Sequence, residues 1–173
     1  MDAAALREAQ SGVKARYRND PASASTTISA VGDWSEPGIT ATIEGFAGPV
    51  RAGLHTATGG DGSDACSGDM LMQALLGCAG VTMRSVATAM GIVVRRAELV
   101  AESSFDARGT LGLDRSVPVG IGPVTVTAVL DTDADEAQLA KLAELTGRYC
   151  VVGRSLVQEP TIEIRRAGRR AAR

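Results

Sequence analysis

The run DMLMQALLGCAGVTMRSVATAMGIVV, from Asp69 to Val94, constrains the fold of this chain more than any other stretch. After Asp69 it holds one charged residue, Arg84, and Cys78 sits near its middle. Leu71, Leu75, Cys78, Thr82, Val86 and Ala89 recur at spacings of three and four, which places them on one face of a helix. Met70, Ala74, Gly77 and Val81 make the flanking face almost as apolar. A helix apolar nearly all round belongs at the centre of a domain. Ser67 or Asp69 can cap its start and Gly91 ends its pattern. The expectation is a buried central helix over 69–91, with the rest of the chain around it. By length alone, roughly 20 apolar residues would also span a bilayer. Gln73 and Arg84 inside the run argue for the soluble helix, since an arginine at mid-bilayer costs about 2.5 kcal/mol or more.

A chain of 173 residues can build one domain with a real core. Only 3% of it is aromatic, so that core must come from Val, Leu, Ile, Ala and Met. A net charge of -2 gives no basis for general nucleic-acid affinity. Residues 1–20 lack the apolar stretch of a secretory signal, so a cytoplasmic chain with reduced thiols is expected. The single histidine, His55, excludes a His-rich metal site.

Residues 2–18 suit a short helix with Leu6, Ala9, Val13 and Tyr17 on one stripe and Arg7, Lys14, Arg16 and Arg18 around it. Asn19-Asp20-Pro21 ends it. From Ser25 the period becomes two, through Asp33; Ile39–Glu44 and Val50–Leu54 follow, and the three runs read as an antiparallel meander. The loop 55–68, HTATGGDGSDACSG, precedes the long helix. It has no lysine after its glycines and matches no phosphate-binding fingerprint, so it reads as a pocket rim. Beyond the helix come strand runs at 95–105 and 123–132. A helix capped by Asp133 or Asp135 runs to about Gly147, a short apolar helix starts at Val151, and a strand starts after Pro160. The tail from residue 167 is basic and reads as disordered. The domain reading is an N-terminal helical extension at 1–24, one domain at 25–166 and the tail at 167–173.

Three thiols remain to be assigned. Cys78 lies in the apolar helix. Cys150 lies at a helix junction, where free N–H groups can favour a thiolate. Cys66 lies in the loop before the helix. Spacing alone does not bring any two of them together, and all three are also consistent with small apolar fillers. A zinc site of His55, Cys66, Cys78 and Cys150 has suitable ligand types but no C-x2-4-C pair. His55 reads better as a pocket-rim or hydrogen-bonded residue than as a general base.

The segment GDMLMQALLGC, Gly68 to Cys78, resembles the central-helix signature of the OsmC/Ohr family, the osmotically inducible and organic hydroperoxide resistance proteins. Arg148-Tyr149-Cys150-Val151-Val152 through Leu156 resembles the element carrying the family's second cysteine, with Val151 where the family usually has proline. The resemblance extends over about residues 25–165, in the order of strands and helices as well as in the two cysteines.

The resemblance implies an α+β, OsmC-like fold, with a long central helix wrapped by antiparallel sheets and an intertwined homodimer with sites at the subunit interface. It implies thiol-dependent reduction of organic hydroperoxides without a metal or cofactor. Cys78 is then the peroxidatic thiolate and Cys150 the resolving thiol, with Cys66 left free. A dithiol or lipoylated-protein reductant restores both, and neither nucleic acid nor membrane is a partner. The family's acid and thiolate-stabilising arginine map best onto Asp69 and Arg51, with Arg148 a second candidate. The competing reading on the same fold is a non-catalytic redox-sensing or small-ligand-binding protein.

Overall fold

The computed structural model describes residues 2–34 and 36–167. They form two compact units. The basic tail expected beyond Ala167 lies outside the described residues.

The first unit takes the chain up to Ser25, Ala74–Ser103 and the chain from Pro123 on. Helix α1, Ala3–Asn19, opens it; the Asp2 carboxylate caps two free N–H groups, and no residue of the helix is buried. Helix α2, Ser67–Ala89, enters the unit at Ala74. Strands β5 (Val94–Glu102), β6 (Thr125–Thr132) and β7 (Thr161–Arg166) form a sheet in that order. β5 and β6 are antiparallel, β6 and β7 parallel. Helix α4, Glu136–Tyr149, starts with a full capping box between Asp135 and Gln138, and the one-turn helix α5, Val151–Arg154, follows.

Strand β6 alternates as a strand with one covered face should, burying Val126, Ala128, Leu130 and Thr132. Met83, Ala87 and Ile92 pack with Ala128, Leu130, Leu139 and Leu142 into one core. Such a cluster gains about 25 cal/mol for each Å² of apolar surface removed from water. The buried stripe of α2 is Leu75, Ala79, Met83 and Ala87. It shares only Leu75 with the stripe expected from the sequence, because small residues let several faces of this helix serve as the packed one. Outside that stripe the helix is partly or fully open, with Val81 74% exposed. By length and composition alone it could cross a membrane.

The second unit holds Thr26–Gln73 and Ser104–Gly122. Its sheet runs β1 (Gly32–Asp33), β2 (Thr40–Ile43), β3 (Val50–Gly53) and β4 (Ala65–Cys66). The antiparallel meander is present, but β4 adds a two-residue parallel edge to β3. The first strand is much shorter than its alternation suggests. Residues 25–31 lie exposed, and pairing reaches only from Gly32 to Asp33, with one further bond from the Glu44 N–H to the Val31 carbonyl. Alternation makes a strand only where a partner edge accepts its hydrogen bonds. In the 104–122 segment, a short helix α3, Ala107–Thr110, is capped by Asp106.

Candidate active site

Helix α2 and the α4–α5 junction build the site, all within the first unit. Cys78 stands mid-helix, half-buried. Cys150 ends α4 and begins α5, and it is fully buried. Its extended backbone, φ -74 and ψ 101, turns the chain between the two helices.

This junction supplies the backbone N–H groups that hold the sulfurs. The Val152 N–H donates to the Cys78 Sγ at 3.5 Å. The Gly153 N–H donates to the Cys150 Sγ at 3.4 Å, so the thiol caps α5. Glycine at 153 leaves room for this approach. A Cβ there would stand 3.1 Å from the Pro160 Cγ and 3.3 Å from the Cys150 Sγ.

The two thiols influence each other's proton affinity, and they shift in opposite directions. Burial acts to raise Cys78; the Val152 N–H, the Cys150 thiol, the Val151 N–H and the Thr82 hydroxyl outweigh it and hold the thiol below its ordinary range. Burial raises Cys150, the Gly153 N–H opposes it, and the hydrogen bond and charge of Cys78 push it further up. The sequence suggests that the junction's N–H groups favour a thiolate at Cys150. Here Val152 serves Cys78, and Cys150 becomes the proton-holding partner.

The other sequence candidates lie elsewhere. Arg51, on β3, pairs with Asp64 at 2.5 Å and with Glu36 at 3.6 Å, all in the second unit. Asp64 raises the guanidinium above its usual range. Asp69 is exposed in the first turn of α2. Nine residues of a straight helix rotate by about two and a half turns, so Asp69 and Cys78 project from opposite faces. Arg148 stacks on Tyr149, 5.4 Å from the ring centroid. The His55 Nδ1 accepts the Ala57 N–H at 3.0 Å, and its ring meets Phe105 edge-on. Cys66 lies half-buried at the end of β4. Among the described residues, no group of three or more His, Cys, Asp or Glu side chains is placed to hold a metal ion.

Sequence reasoning missed Thr82 among the groups that lower the thiol, although its place one helical turn after Cys78 is a legible signal. The Val151 and Val152 N–H groups carry no such mark, because every non-proline residue has one.

The fold is of the mixed α+β kind, and it brings Cys78 of α2 to the α4–α5 junction that carries Cys150. A family profile described as OsmC-like protein matches residues 60–165, more than half of the chain, and the chain belongs to that family. Solved structures agree on the fold. An OsmC-like protein of unknown function from Vibrio cholerae is 15% identical with a TM-score of 0.66, covering 81% of this chain and 99% of that one. An OsmC-like protein from Mycoplasma pneumoniae is 13% identical at 0.63, covering 82% and 96%. An organic hydroperoxide resistance protein from Elizabethkingia anophelis is 13% identical at 0.63, covering 83% and 98%. No curated protein sequence matches the chain.

Proposed function

We propose that the protein is a thiol-dependent reductase of organic hydroperoxides. The observation that carries this reading is the pairing of Cys78 with Cys150, one thiol lowered and the other raised in proton affinity. A nucleophile must be ionised, and a resolving thiol must keep its proton until it is needed.

The Cys78 thiolate attacks the distal oxygen of the hydroperoxide. The O–O bond breaks, sulfur becomes a sulfenic acid, and the alkoxide leaves as the alcohol after taking a proton. The Cys150 sulfur then attacks the sulfenic sulfur; water leaves and a disulfide forms. An external dithiol, a lipoylated protein in this reading, exchanges with the disulfide and restores both thiols. No metal or organic cofactor takes part. The reaction belongs in a reducing cytoplasm, where such a dithiol is available.

The exposed apolar surface of α2, including Val81, supports a homodimer in which a second copy covers it. Light scattering is expected to give about twice the 17.8 kDa chain mass, and a monomer mass would overturn the dimer. Arg51 and Asp69 are proposed to tune the rate only. An apolar lining repays burial of an alkyl or aryl group at about 25 cal/mol per Å², so bulky hydroperoxides should outcompete hydrogen peroxide.

A second reading has one observation in its favour. The groups named above as lowering Cys78 are neutral, with no guanidinium among them. A thiol so held could oxidise without efficient turnover, as in a redox sensor or a small-ligand-binding protein. Steady-state consumption of cumene hydroperoxide with excess dithiol separates the two. Continuous turnover is expected, and a single stoichiometric oxidation would favour the sensor.

A further inference from the structure

We propose that the cleft between α2 and β5 binds a free medium-chain carboxylate, with the alkyl chain on its apolar floor and the head on Arg84. The site is separate from the two thiols and does not depend on the peroxidase reading.

Arg84 is the residue of the long apolar run that the thiol chemistry leaves unused. It is the one charge between Met70 and Val94. It is exposed, and among the described residues no carboxylate pairs with it. Gly80, Met83, Arg84 and Ala87 recur at spacings of three and four, so they share a face of α2. That face lines a cavity of about 710 Å³ together with Ala97 and Leu99 of β5, all within the first unit. Small-molecule sites usually measure about 300–1,000 Å³. Gly80 keeps the gap open: a Cβ there would already stand 3.6 Å from the Leu99 Cδ2, and a longer side chain would fill the space. Cys78 lies about 160° around the helix from Gly80 and about 140° from Met83, so it faces away from this cleft.

The lining selects the ligand. Met83, Ala87, Ile92 and Leu130 are buried and give an apolar floor, in which the methionine can adapt to a chain. The same lining carries three guanidinium groups, Arg84, Arg95 and Arg96, against one carboxylate, Asp2. Asp131 and Asp133 engage Arg95, and Glu98 engages Arg96. The Asp2 carboxylate accepts the Ala4 and Ala5 N–H groups of α1, both at 2.9 Å. Of the three guanidinium groups, Arg84 is the one with its donors to offer. A guanidinium meets a carboxylate with two parallel hydrogen bonds. The excess of positive charge favours an anion, and the floor favours an alkyl chain over a bare phosphate. A free fatty acid of moderate length meets both demands.

The test is isothermal titration calorimetry of the reduced full chain with sodium decanoate below its micellar concentration. Decanoate should bind once per chain and raise the melting temperature. Decyltrimethylammonium has the same chain and the opposite charge, and should bind about tenfold more weakly. Arg84→Gln should weaken decanoate about tenfold, the scale of one charge-assisted contact, and Arg84→Lys should recover part of the loss. Ala97→Trp, at an exposed position of the lining, should weaken it by bulk alone. Cys78→Ser should bind decanoate as the wild type does. A wild type that takes up no decanoate, as when a second copy fills the cleft, would overturn the proposal. So would equal binding of the two charges, or wild-type affinity in Arg84→Gln or Ala97→Trp. Loss of binding in Cys78→Ser would move the ligand to the thiols, and uptake only from vesicles of anionic lipid would make the partner a membrane surface; either overturns it. Hydroperoxide turnover is measured on the same proteins, and its absence would end the peroxidase reading while leaving this site standing.

Discussion

Every fully buried residue among those described lies in the unit that holds the two thiols, and none lies in the unit of the four-stranded sheet. In the first unit, Leu75, Val126, Leu130, Leu139, Leu142 and Cys150 are sealed from water. In the second, Ile39, Trp34 and Phe46 stand 75%, 86% and 112% exposed. The contrast separates two ways of holding a functional group. A sulfur whose reactivity depends on a particular set of N–H groups needs a packed frame, because a shift of a few tenths of an ångström weakens such a contact. The second unit is held by short ladders and by surface pairs such as Arg51 with Asp64, which tolerate more motion and contribute less.

The largest expected effect is in the packed unit. Cys78→Ser should abolish hydroperoxide consumption, since a serine hydroxyl does not ionise near neutral pH. Cys150→Ser should react once and then progress to the sulfinic acid under excess peroxide. Stopped-flow oxidation with cumene hydroperoxide reads both; unchanged consumption by Cys78→Ser would remove the mechanism.

Stability should divide the units next. Leu142→Ala should cost about 2–5 kcal/mol by the loss of buried methyl groups and the cavity left behind. Phe46→Ala should stay within about 0.5 kcal/mol, as expected of an exposed side chain. Urea denaturation checks both. A large loss at Phe46 would break the comparison and point to a cover supplied by another copy.

The two thiols should also separate by pH. Cys78 is lowered, so its thiolate persists below the ordinary cysteine value of about 8.5 and is lost only as pH falls through the lowered pKa. Cys150 is raised, so its thiolate appears only above that value. Alkylation followed separately on the two peptides should show Cys78 reacting at the lower pH, and the reverse order would exchange the roles assigned here.

The smallest effect is expected at Arg51. Arg51→Ala removes a half-exposed pair with Asp64 and should move the urea midpoint no more than a neutral surface substitution does. A loss of turnover comparable with that of Cys78→Ser would show that the second unit takes a direct part in the chemistry.

What was legible in the sequence follows the same division. Helix α4 and strand β6 announce themselves because their periods reflect a face that is covered, whereas α2 announces itself by the length of its apolar run and not by the stripe that is buried. The 25–31 stretch alternates just as well but is bonded to the neighbouring strand only at Val31, and the two-residue β4 and the one-turn α3 are too short to leave a period. At the site, the family's motif singles out the two cysteines as candidates, whereas the approach of Cys78 to the α4–α5 junction was not legible, because it depends on how α4 and α5 return to α2. The swap of N–H donors between the sulfurs is a matter of one residue's offset at a turn, which no side-chain pattern encodes.

The capping of α5 by a sulfur has a consequence for how oxidation can be observed. The amides of Val152 and Gly153 donate to the two sulfurs that the proposed cycle oxidises, Val152 to Cys78 and Gly153 to Cys150. Once a sulfur is bonded to its neighbour, it is neutral and a poorer acceptor, so both amides lose part of their hold. On the proposed cycle the first turn of α5 would serve as an indicator: its two amide resonances should move together on oxidation and return on reduction, reporting the state of the pair without a label or a substrate.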